Sequence, residues 1–239
     1  MVHGPQQGLF NLEFRTPAGC ADDLSSGAAD IGIVPSFELT RQRLEILRGA
    51  GIACRGSVRS ILLISKKPAD AIETLAADSS SRTSVELARV VLERRYGCRP
   101  KIARHAPEVD AMLETADAAL VIGDPALRID PASRTEHVYD LGLEWWELTG
   151  LPMVFAVWAG KAEVATEDVR EALAGSCRWG REHIEEIVAA ESGARGFAPD
   201  LVREYLTRHI VHELGPEEYA GMEQFLEWSV KEGRTENVT

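Results

Sequence analysis

A run of hydroxyl-bearing residues stands where a predicted strand gives way to a predicted helix. Residues 77–86 read Ala-Asp-Ser-Ser-Ser-Arg-Thr-Ser-Val-Glu, which places five hydroxyls and one arginine at the start of the helix. A helix exposes unpaired N–H groups and the positive end of its dipole there. Backbone amides and hydroxyls in that position bind carboxylates and phosphates. The stretch therefore predicts an anion site, with Arg82 as its cationic partner because a guanidinium binds a carboxylate bidentately.

The same residues also fit a purely structural role. Thr83 and Glu86 have the spacing of a capping box, in which a hydroxyl and a carboxylate satisfy the first N–H groups of a helix. One cap needs one hydroxyl, and this stretch has more than that. An anion site and an over-supplied cap both stay open on these residues alone.

Polar side chains follow two other predicted strands. Ser36 and Glu38 come just after an apolar run at residues 29–35, and Asp124 follows another at residues 118–122. Ligands of open α/β sheets bind outside the carboxyl ends of the strands, so Glu38 and Asp124 are candidates for a general acid or base. Structural alternatives remain, because Ser36 and Asp124 could cap turns and Glu38 could begin a helix.

Histidines and cysteines give no metal or nucleotide signature. His209 and His212 lie three residues apart on a predicted helix beside Glu213, but two ligands at this spacing do not make a zinc site. No GxGxxG follows a strand, and no phosphate-loop lysine motif is present. The four cysteines are scattered without paired spacing, which is typical of reduced thiols in a cytoplasmic protein.

Composition excludes several classes of protein. The chain has 239 residues, of which 45% are hydrophobic and 27% charged, as in soluble globular proteins. No run approaches the roughly 20 apolar residues of a membrane-spanning helix. The N-terminus has neither the basic region nor the apolar core of an export signal, so we expect a cytoplasmic protein. The net charge of −12 argues against nucleic acid and anionic membranes as partners, but not against a small anion.

The elements that must position these residues alternate between strand and helix. Apolar periodicity predicts strands at residues 10–15, 29–35, 46–53, 58–65, 75–78, 101–104, 118–122 and 153–158. Helices are predicted at residues 20–26, 83–96, 108–115, 167–175, 177–190, 199–214 and 216–231. This alternation predicts an α/β protein with largely parallel sheets. The strands at 58–65 and 153–158 bracket a segment of βαβαβ character, which predicts two lobes with a ligand cleft between them. The first lobe would hold residues 1–64 and 146–239, including the C-terminal helices, and the second residues 65–145.

Four motifs occur in the same order in one family. They are Ala-Asp-Ile-Gly-Ile-Val-Pro-Ser at 29–36, the turn at 79–84, Val-Ile-Gly-Asp-Pro-Ala-Leu at 121–127, and the segment from Asp-Leu-Gly at 140–142 through Thr-Gly-Leu-Pro at 149–152 to Phe-Ala at 155–156. Together they resemble the menaquinone-biosynthesis enzymes of the futalosine pathway, in the chorismate dehydratase branch. The resemblance implies a cytoplasmic enzyme with the periplasmic-binding-protein fold of type II. It also implies a carbon–oxygen lyase that converts chorismate to 3-[(1-carboxyvinyl)oxy]benzoate and water, without metal or organic cofactor.

The resemblance further implies which residues line the cleft. On the family pattern these are Ser57, Ser60, Ser80, Ser81, Arg82, Thr83, Gly123 and Asp124. The serine turn would hold a substrate carboxylate, and Ser36 would lie with Ser57 and Ser60 on the opposite wall. Because the product is aromatic, the protein must mainly fix the conformer, orient the carboxylates and exclude water. We therefore expect one of the substrate's own carboxylates to accept the ring proton.

One departure from the family concerns the beginning of the chain. Family members usually start with a strand and a Ser-Tyr-Leu-Asn motif, whose asparagine lies in the active site, and this sequence begins after both. We expect the first lobe to expose a sheet position and to be less stable for that reason. Two alternatives stay open: the related 1,4-dihydroxy-6-naphthoate synthase, and a non-catalytic cytoplasmic binding protein for a small cyclic carboxylate. The Gly-Asp-Pro-Ala-Leu and Thr-Gly-Leu-Pro motifs favour the dehydratase. We expect the protein to be a monomer or a homodimer.

Overall fold

The computed structural model of this chain describes residues 1–78 and 80–231. Ser79, one hydroxyl of the predicted anion site, lies outside the described residues. The strands are β1 Ile31–Pro35, β2 Glu45–Cys54, β3 Ile61–Ser65, β4 Thr74–Asp78, β5 Lys101–His105, β6 Ala118–Ile122, β7 His137–Asp140, β8 Met153–Gly160 and β9 Val211–Glu213. They form a first sheet in the order β1-β8-β2-β9 and a second sheet in the order β5-β4-β6-β3-β7.

Helices cover both sheets and fill most of the C-terminal part. They are α1 Pro17–Ser26, α2 Arg82–Tyr96, α3 Val109–Thr115, α4 Gly123–Leu127, α5 Leu141–Thr149, α6 Glu167–Glu182, α7 Ile184–Arg195, α8 Pro199–Glu204 and α9 Pro216–Lys231. A π-helical turn, Tyr205–His209, continues directly from α8. Gly27 ends α1 and Gly97 ends α2, both in the left-handed conformation that glycine adopts without strain, and both ends agree with the prediction.

The prediction of largely parallel sheets is wrong. Every pairing of the first sheet is antiparallel among the described residues. In the second sheet β4 is parallel to β5 and β6, whereas β3 is antiparallel to β6 and β7. For the pairings of β3 and β8, the reason is that each of these strands enters its sheet from the other one. The parallel rule applies to successive strands of one sheet that a crossover helix connects, and these two strands are not of that kind.

The chain passes between the two sheets twice within these strands. Residues 55–60 connect β2 to β3, and α5 with residues 150–152 connects β7 to β8. The sequence placed residues up to 64 in the first lobe, but β3 pairs with β6 from Ile61↔Ile122 to Ser65↔Ala118. The residues of β3 therefore belong to the second sheet. The lobe limits themselves stay a prediction.

The predicted strand at residues 10–15 is wrong, because that segment is irregular. β1 lies at the edge of the first sheet, but residues 10–15 do not pair with it. A cavity of about 400 Å³ lies between residues 28–33 and this segment, which contributes Phe10, Leu12 and other residues to its wall. The side chain of Phe14 is left 78% exposed. The open sheet position expected from the sequence stays a prediction.

The predicted helix at residues 199–214 is also wrong in its second half. After the π-helical turn, Val211 pairs with Ala53 and Glu213 with Ala50, so β9 extends the first sheet. His212 lies in this strand and His209 in the turn, so the helical face predicted for the two histidines does not exist. β9 forms a strand because the edge of β2 is available for pairing, and a local apolar pattern does not predict that pairing.

Only one of the two adjacent tryptophans faces the core. Trp145 is fully buried and Trp146 is 36% exposed. The indole of Trp145 meets Phe225 and Trp228 edge-on, with ring centroids 6.0 and 5.5 Å away, and its Nε1 donates to the carbonyl of Pro152 at 3.2 Å. The connection through α5 is therefore fixed against α9. In the described part of the chain, no helix has the length and apolarity to cross a membrane.

Candidate functional site

The serine turn begins α2, and Ser81 is its cap. The Ser81 hydroxyl accepts the N–H of Ser84 at 3.3 Å and the Ser84 hydroxyl at 3.1 Å. The first bond of the helix then runs from Val85 N to Ser81 O at 3.3 Å. The capping box predicted on Thr83 and Glu86 is wrong, because the helix begins at Arg82 and the cap lies two residues before Thr83. The unpaired N–H groups and the dipole of α2 give this end of the helix a positive potential.

Thr83 joins the helix to the loop that follows β1. Its side chain is fully buried, and its Oγ1 accepts the N–H of Phe37 at 3.1 Å. Ser36 Oγ lies 3.5 Å from Thr83 Oγ1 and donates to the carbonyl of Val154 at 2.7 Å. Two of the predicted site residues, Ser36 and Thr83, therefore meet. They meet at a boundary, since β1 belongs to the first sheet and α2 follows a strand of the second.

Arg82 and Glu38 form an ion pair at the same boundary. Arg82 Nη1 lies 2.9 Å from Glu38 Oε1, and Arg82 Nη2 lies 3.0 Å from Asp22 Oδ1 on α1. Glu38 is 1% exposed, and its second oxygen accepts Gln42 Nε2 at 3.1 Å. Glu38, a predicted acid or base, is thus engaged with a cation. A substrate carboxylate at Arg82 would have to displace one of the two acids, so this role of Arg82 stays a prediction.

A second cluster surrounds the connection between β2 and β3. Asp140 caps α5, where its Oδ1 accepts the N–H groups of Gly142 and Leu143 at 3.0 and 3.1 Å. The same carboxylate binds the connection itself, accepting Ser57 Oγ at 2.6 Å, Val58 N at 3.0 Å and Arg59 N at 2.7 Å. Ser57, a predicted substrate contact, is therefore tied to Asp140, which the sequence did not single out as a site residue.

Arg59 adopts a strained backbone conformation beside this carboxylate. Its φ of 66° is the one positive value at a non-glycine position within residues 1–78 and 80–231, and such a conformation costs about 1–3 kcal/mol. Its guanidinium donates to the carbonyls of Ala126 and Ile129 at the end of α4. Arg59 therefore binds the connection 55–60 to the end of α4.

The strained turn places Ser60, which is 4% exposed. The carbonyl of Ser60 accepts Gly123 N at 2.8 Å, and its hydroxyl accepts the phenol of Tyr205 at 3.0 Å. Sequence reasoning did not connect Tyr205 with this cluster, since it is 145 residues from Ser60. His209, at the other end of the π-helical turn, has its Nδ1 3.0 Å from the carbonyl of Ser57. Burial raises the pKa of Tyr205, and the charge of Asp124 raises it further.

A cavity of about 950 Å³ adjoins this second cluster. Tyr205 and Asp124 line it together with apolar residues such as Trp179 and Phe197. Asp124 is half exposed, and its Oδ2 lies 3.3 Å from Nη1 of Arg195, so the second predicted acid or base is also paired. Gly123 begins α4 with a φ of 64°, which favours glycine. The predicted pair Gly123 and Asp124 therefore lies between Ser60 and this cavity.

Neither metal ligands nor an activated thiol occur in these clusters. Among the described residues, no group of three or more His, Cys, Asp or Glu side chains is placed to hold a metal ion. Burial raises the pKa of Cys54, which follows from its place in the core, so its thiol stays protonated at neutral pH. Hydroxyls, backbone N–H groups and paired charges are the groups that the two clusters contain.

The sequence is similar to proteins of the family that its motifs indicate. A family model described as menaquinone biosynthesis matches residues 3–231. The chorismate dehydratase of Thermus thermophilus is 28% identical over 236 residues, covering 91% of this chain and 86% of that protein. The chorismate dehydratase of Campylobacter jejuni is 29% identical over 148 residues, which are 61% of this chain and 52% of that protein, so the match spans about half of its length.

The fold is also found among solved structures. The periplasmic aliphatic sulphonate binding protein SsuA of Escherichia coli superposes with a TM-score of 0.63 at 16% identity, covering 93% of this chain and 77% of that one. The predicted two-lobed α/β fold of the periplasmic-binding-protein type is confirmed.

Proposed function

The chain belongs to the menaquinone-biosynthesis family, and from that membership we propose that it is a chorismate dehydratase. As such it is a carbon–oxygen lyase that converts chorismate to 3-[(1-carboxyvinyl)oxy]benzoate and water. The observation that carries the proposal is the similarity to the chorismate dehydratase of Thermus thermophilus over 91% of this chain. We include in the proposal a cytoplasmic location, which the four free cysteines support. We also propose that the lobes meet at the two connections, residues 55–60 and 141–152. This moves the first limit back from residue 64 and keeps the second, at 145/146, within its connection.

The two clusters suit the two kinds of polar group on chorismate. The start of α2, with Ser81, Arg82 and Thr83, offers N–H groups and a dipole that favour a carboxylate. The cluster at Ser60 and Tyr205 offers hydroxyls beside the carboxylate of Asp124. Asp124 is paired with Arg195, but Glu186 and Glu191 also line the cavity. A neutral ring hydroxyl therefore fits that second environment better than a carboxylate does, because like charges repel. In the proposal, the carboxylates therefore lie toward α2 and the hydroxyl toward Tyr205.

The base in the proposed reaction is one of the substrate's own carboxylates. Glu38 is held by Arg82 and Asp124 by Arg195, so neither side chain is an unpaired base. Dehydration takes a proton from the ring and the hydroxyl from the neighbouring carbon, and the ring becomes aromatic. Holding the substrate in the reactive conformer away from water is then the main contribution of the protein.

Amide substitutions test this assignment of the base. We expect Asp124→Asn to keep most of the wild-type turnover number, because the change removes only a paired, half-exposed charge. Glu38→Gln should keep substantial turnover in the folded protein and lose stability, since Arg82 then lacks its buried partner. Turnover and the urea midpoint are measured on each variant. If either folded variant had no activity, a protein carboxylate would be the base.

The function itself is tested with purified chorismate. The ultraviolet spectrum should change from that of the cyclohexadiene to that of an aromatic enol ether, and mass spectrometry should show the loss of one water. The spontaneous rearrangement of chorismate without protein gives the background rate. Saturable binding of chorismate with no spectral change would instead indicate the non-catalytic binding protein, and neither binding nor product would overturn the proposal.

A further inference from the structure

The π-helical turn Tyr205–His209 is unusual in its position. It follows α8 without a break and contacts the connection 55–60 through both of its end residues. Tyr205 donates to the hydroxyl of Ser60, and His209 lies against the carbonyl of Ser57. Single π-helical turns are frequently found at functional sites. The turn therefore holds its first residue in a defined position beside the predicted site residues.

Tyr205 also reaches the cavity of about 950 Å³, which Asp124 shares with it. Ser60, in contrast, is buried behind the phenol. Both partners of this hydrogen bond are hydroxyls, so each can donate or accept. If the phenol turns its proton toward a ligand in the cavity, the Ser60 hydroxyl can donate to the phenolic oxygen in return. The pair can therefore release a proton and stabilise the oxygen left behind.

We propose that Tyr205 is a catalytic residue, whose phenol binds and protonates the hydroxyl that leaves the substrate ring, and that Ser60 is the residue that positions it. This inference rests on the proposed dehydratase function. A phenol is protonated at neutral pH, as a general acid requires. Burial raises the pKa of Tyr205, whereas the hydrogen bond with Ser60 lowers it. Three carboxylates and one guanidinium line the cavity, those of Asp124, Glu186, Glu191 and Arg195. This excess of negative charge favours a neutral hydroxyl over a carboxylate there.

The step balances without any further reactant. The ring C–H bond breaks, its proton goes to a substrate carboxylate, and its electron pair forms the new ring double bond. The C–O bond to the neighbouring hydroxyl breaks, and the oxygen takes the proton of Tyr205 and leaves as water. The phenolate then recovers a proton from the carboxylic acid formed on the substrate. The sum is chorismate minus one water, with Tyr205 regenerated.

Tyr205→Phe removes the hydroxyl and keeps the ring. We expect the turnover number to fall by about 100-fold or more, which is the usual contribution of a general acid. KM for chorismate should change less than about threefold, because the lost interaction is made only in the transition state. A fluorinated tyrosine at position 205 restores the phenol and should recover most of the rate. A purely structural role would not separate the turnover number from KM in this way.

The matched control is Tyr219→Phe. Tyr219 is buried, and its hydroxyl accepts the N–H of Gly49 at 2.9 Å, away from the cavity. This variant should lose stability and keep the wild-type turnover number. If Tyr205→Phe did not fold, Ser60→Ala would serve in its place, with an expected loss of about tenfold in turnover number for a single hydrogen bond to the phenol.

The outcomes separate the two proposals. A wild-type turnover number in Tyr205→Phe, or in Ser60→Ala where the first variant does not fold, would overturn the role of Tyr205 alone. A wild-type protein that forms no product from chorismate would overturn the dehydratase function and this inference with it. A loss of rate through KM alone would show that Tyr205 only binds the substrate, and that too would overturn its role as the acid.

Discussion

The carboxylate of Asp140 accepts hydrogen bonds from both connections between the sheets. Its Oδ1 binds two N–H groups at the start of α5, and both oxygens bind residues 57–59. The strained backbone at Arg59 is held in part by this carboxylate, and Ser60 follows directly. A single residue outside the predicted site therefore fixes the position of two residues within it.

Removing this carboxylate should cost both stability and activity. Asp140→Ala leaves the N–H groups of Val58 and Arg59 without their acceptor, so we expect a loss of at least about 2 kcal/mol in the free energy of unfolding. The turnover number should fall as well, because Ser60 is no longer held in place. Urea unfolding followed by tryptophan fluorescence measures the first effect and the chorismate assay the second.

Asp130→Ala is the matched control for that change. Asp130 also accepts a backbone N–H, that of Ala132 at 3.0 Å, but it caps an exposed turn. Its loss should cost about 1 kcal/mol or less and leave turnover unchanged. Equal losses in the two variants would show that Asp140 is an ordinary cap.

Among the helices and strands, some features depend on a few neighbouring residues, and others depend on pairing with a distant strand. The ends of α1 and α2 could be predicted, because a glycine in the left-handed conformation is a property of a few neighbouring residues. The conformation of residues 10–15 and of β9 could not, because pairing with a sheet edge depends on distant parts of the chain. β9 pairs with β2, whereas residues 10–15 do not pair with the edge strand β1. An alternating pattern predicts which face of a strand is buried, but it does not predict whether a partner strand is present.

The same distinction applies to the candidate site. The serine turn was visible in the sequence, since hydroxyls before a helix have a local meaning. Its cap nevertheless proved to be Ser81, because the start of a helix shifts by a residue or two without changing the pattern. Tyr205 carried no signal at all. Its contact with Ser60 depends on a π-helical turn and on packing between distant parts of the chain.

For the whole molecule, the important contacts are those that join the two sheets at the start of α2. Ala18 N donates to Ser80 O at 3.3 Å, Phe37 N donates to Thr83 Oγ1, and Arg82 pairs with Asp22 and Glu38. Two-lobed proteins of this fold close around their ligands by hinge motion. Contacts that form only when the lobes are together add to the affinity for a ligand held between them.

Asp22→Asn distinguishes two roles for Arg82. If Arg82 holds the lobes together, removing its exposed partner on α1 weakens the closed form. We then expect the dissociation constant of the product, 3-[(1-carboxyvinyl)oxy]benzoate, to rise by a factor of about two to five, the value of an exposed ion pair. Calorimetric titration with the product measures this without turnover.

Asp110→Asn is the control, because Asp110 pairs with Arg134 on the side of the second sheet alone and should leave affinity unchanged. If Arg82 instead binds the substrate carboxylate directly, Asp22 competes with the ligand, and its removal should tighten binding. Tighter or unchanged binding in Asp22→Asn would therefore rule out the role in lobe closure. A tightening would support the direct contact that the hydroxyl-rich turn first suggested. The sign of a single change in affinity thus decides whether Arg82 acts on the ligand or on the lobes.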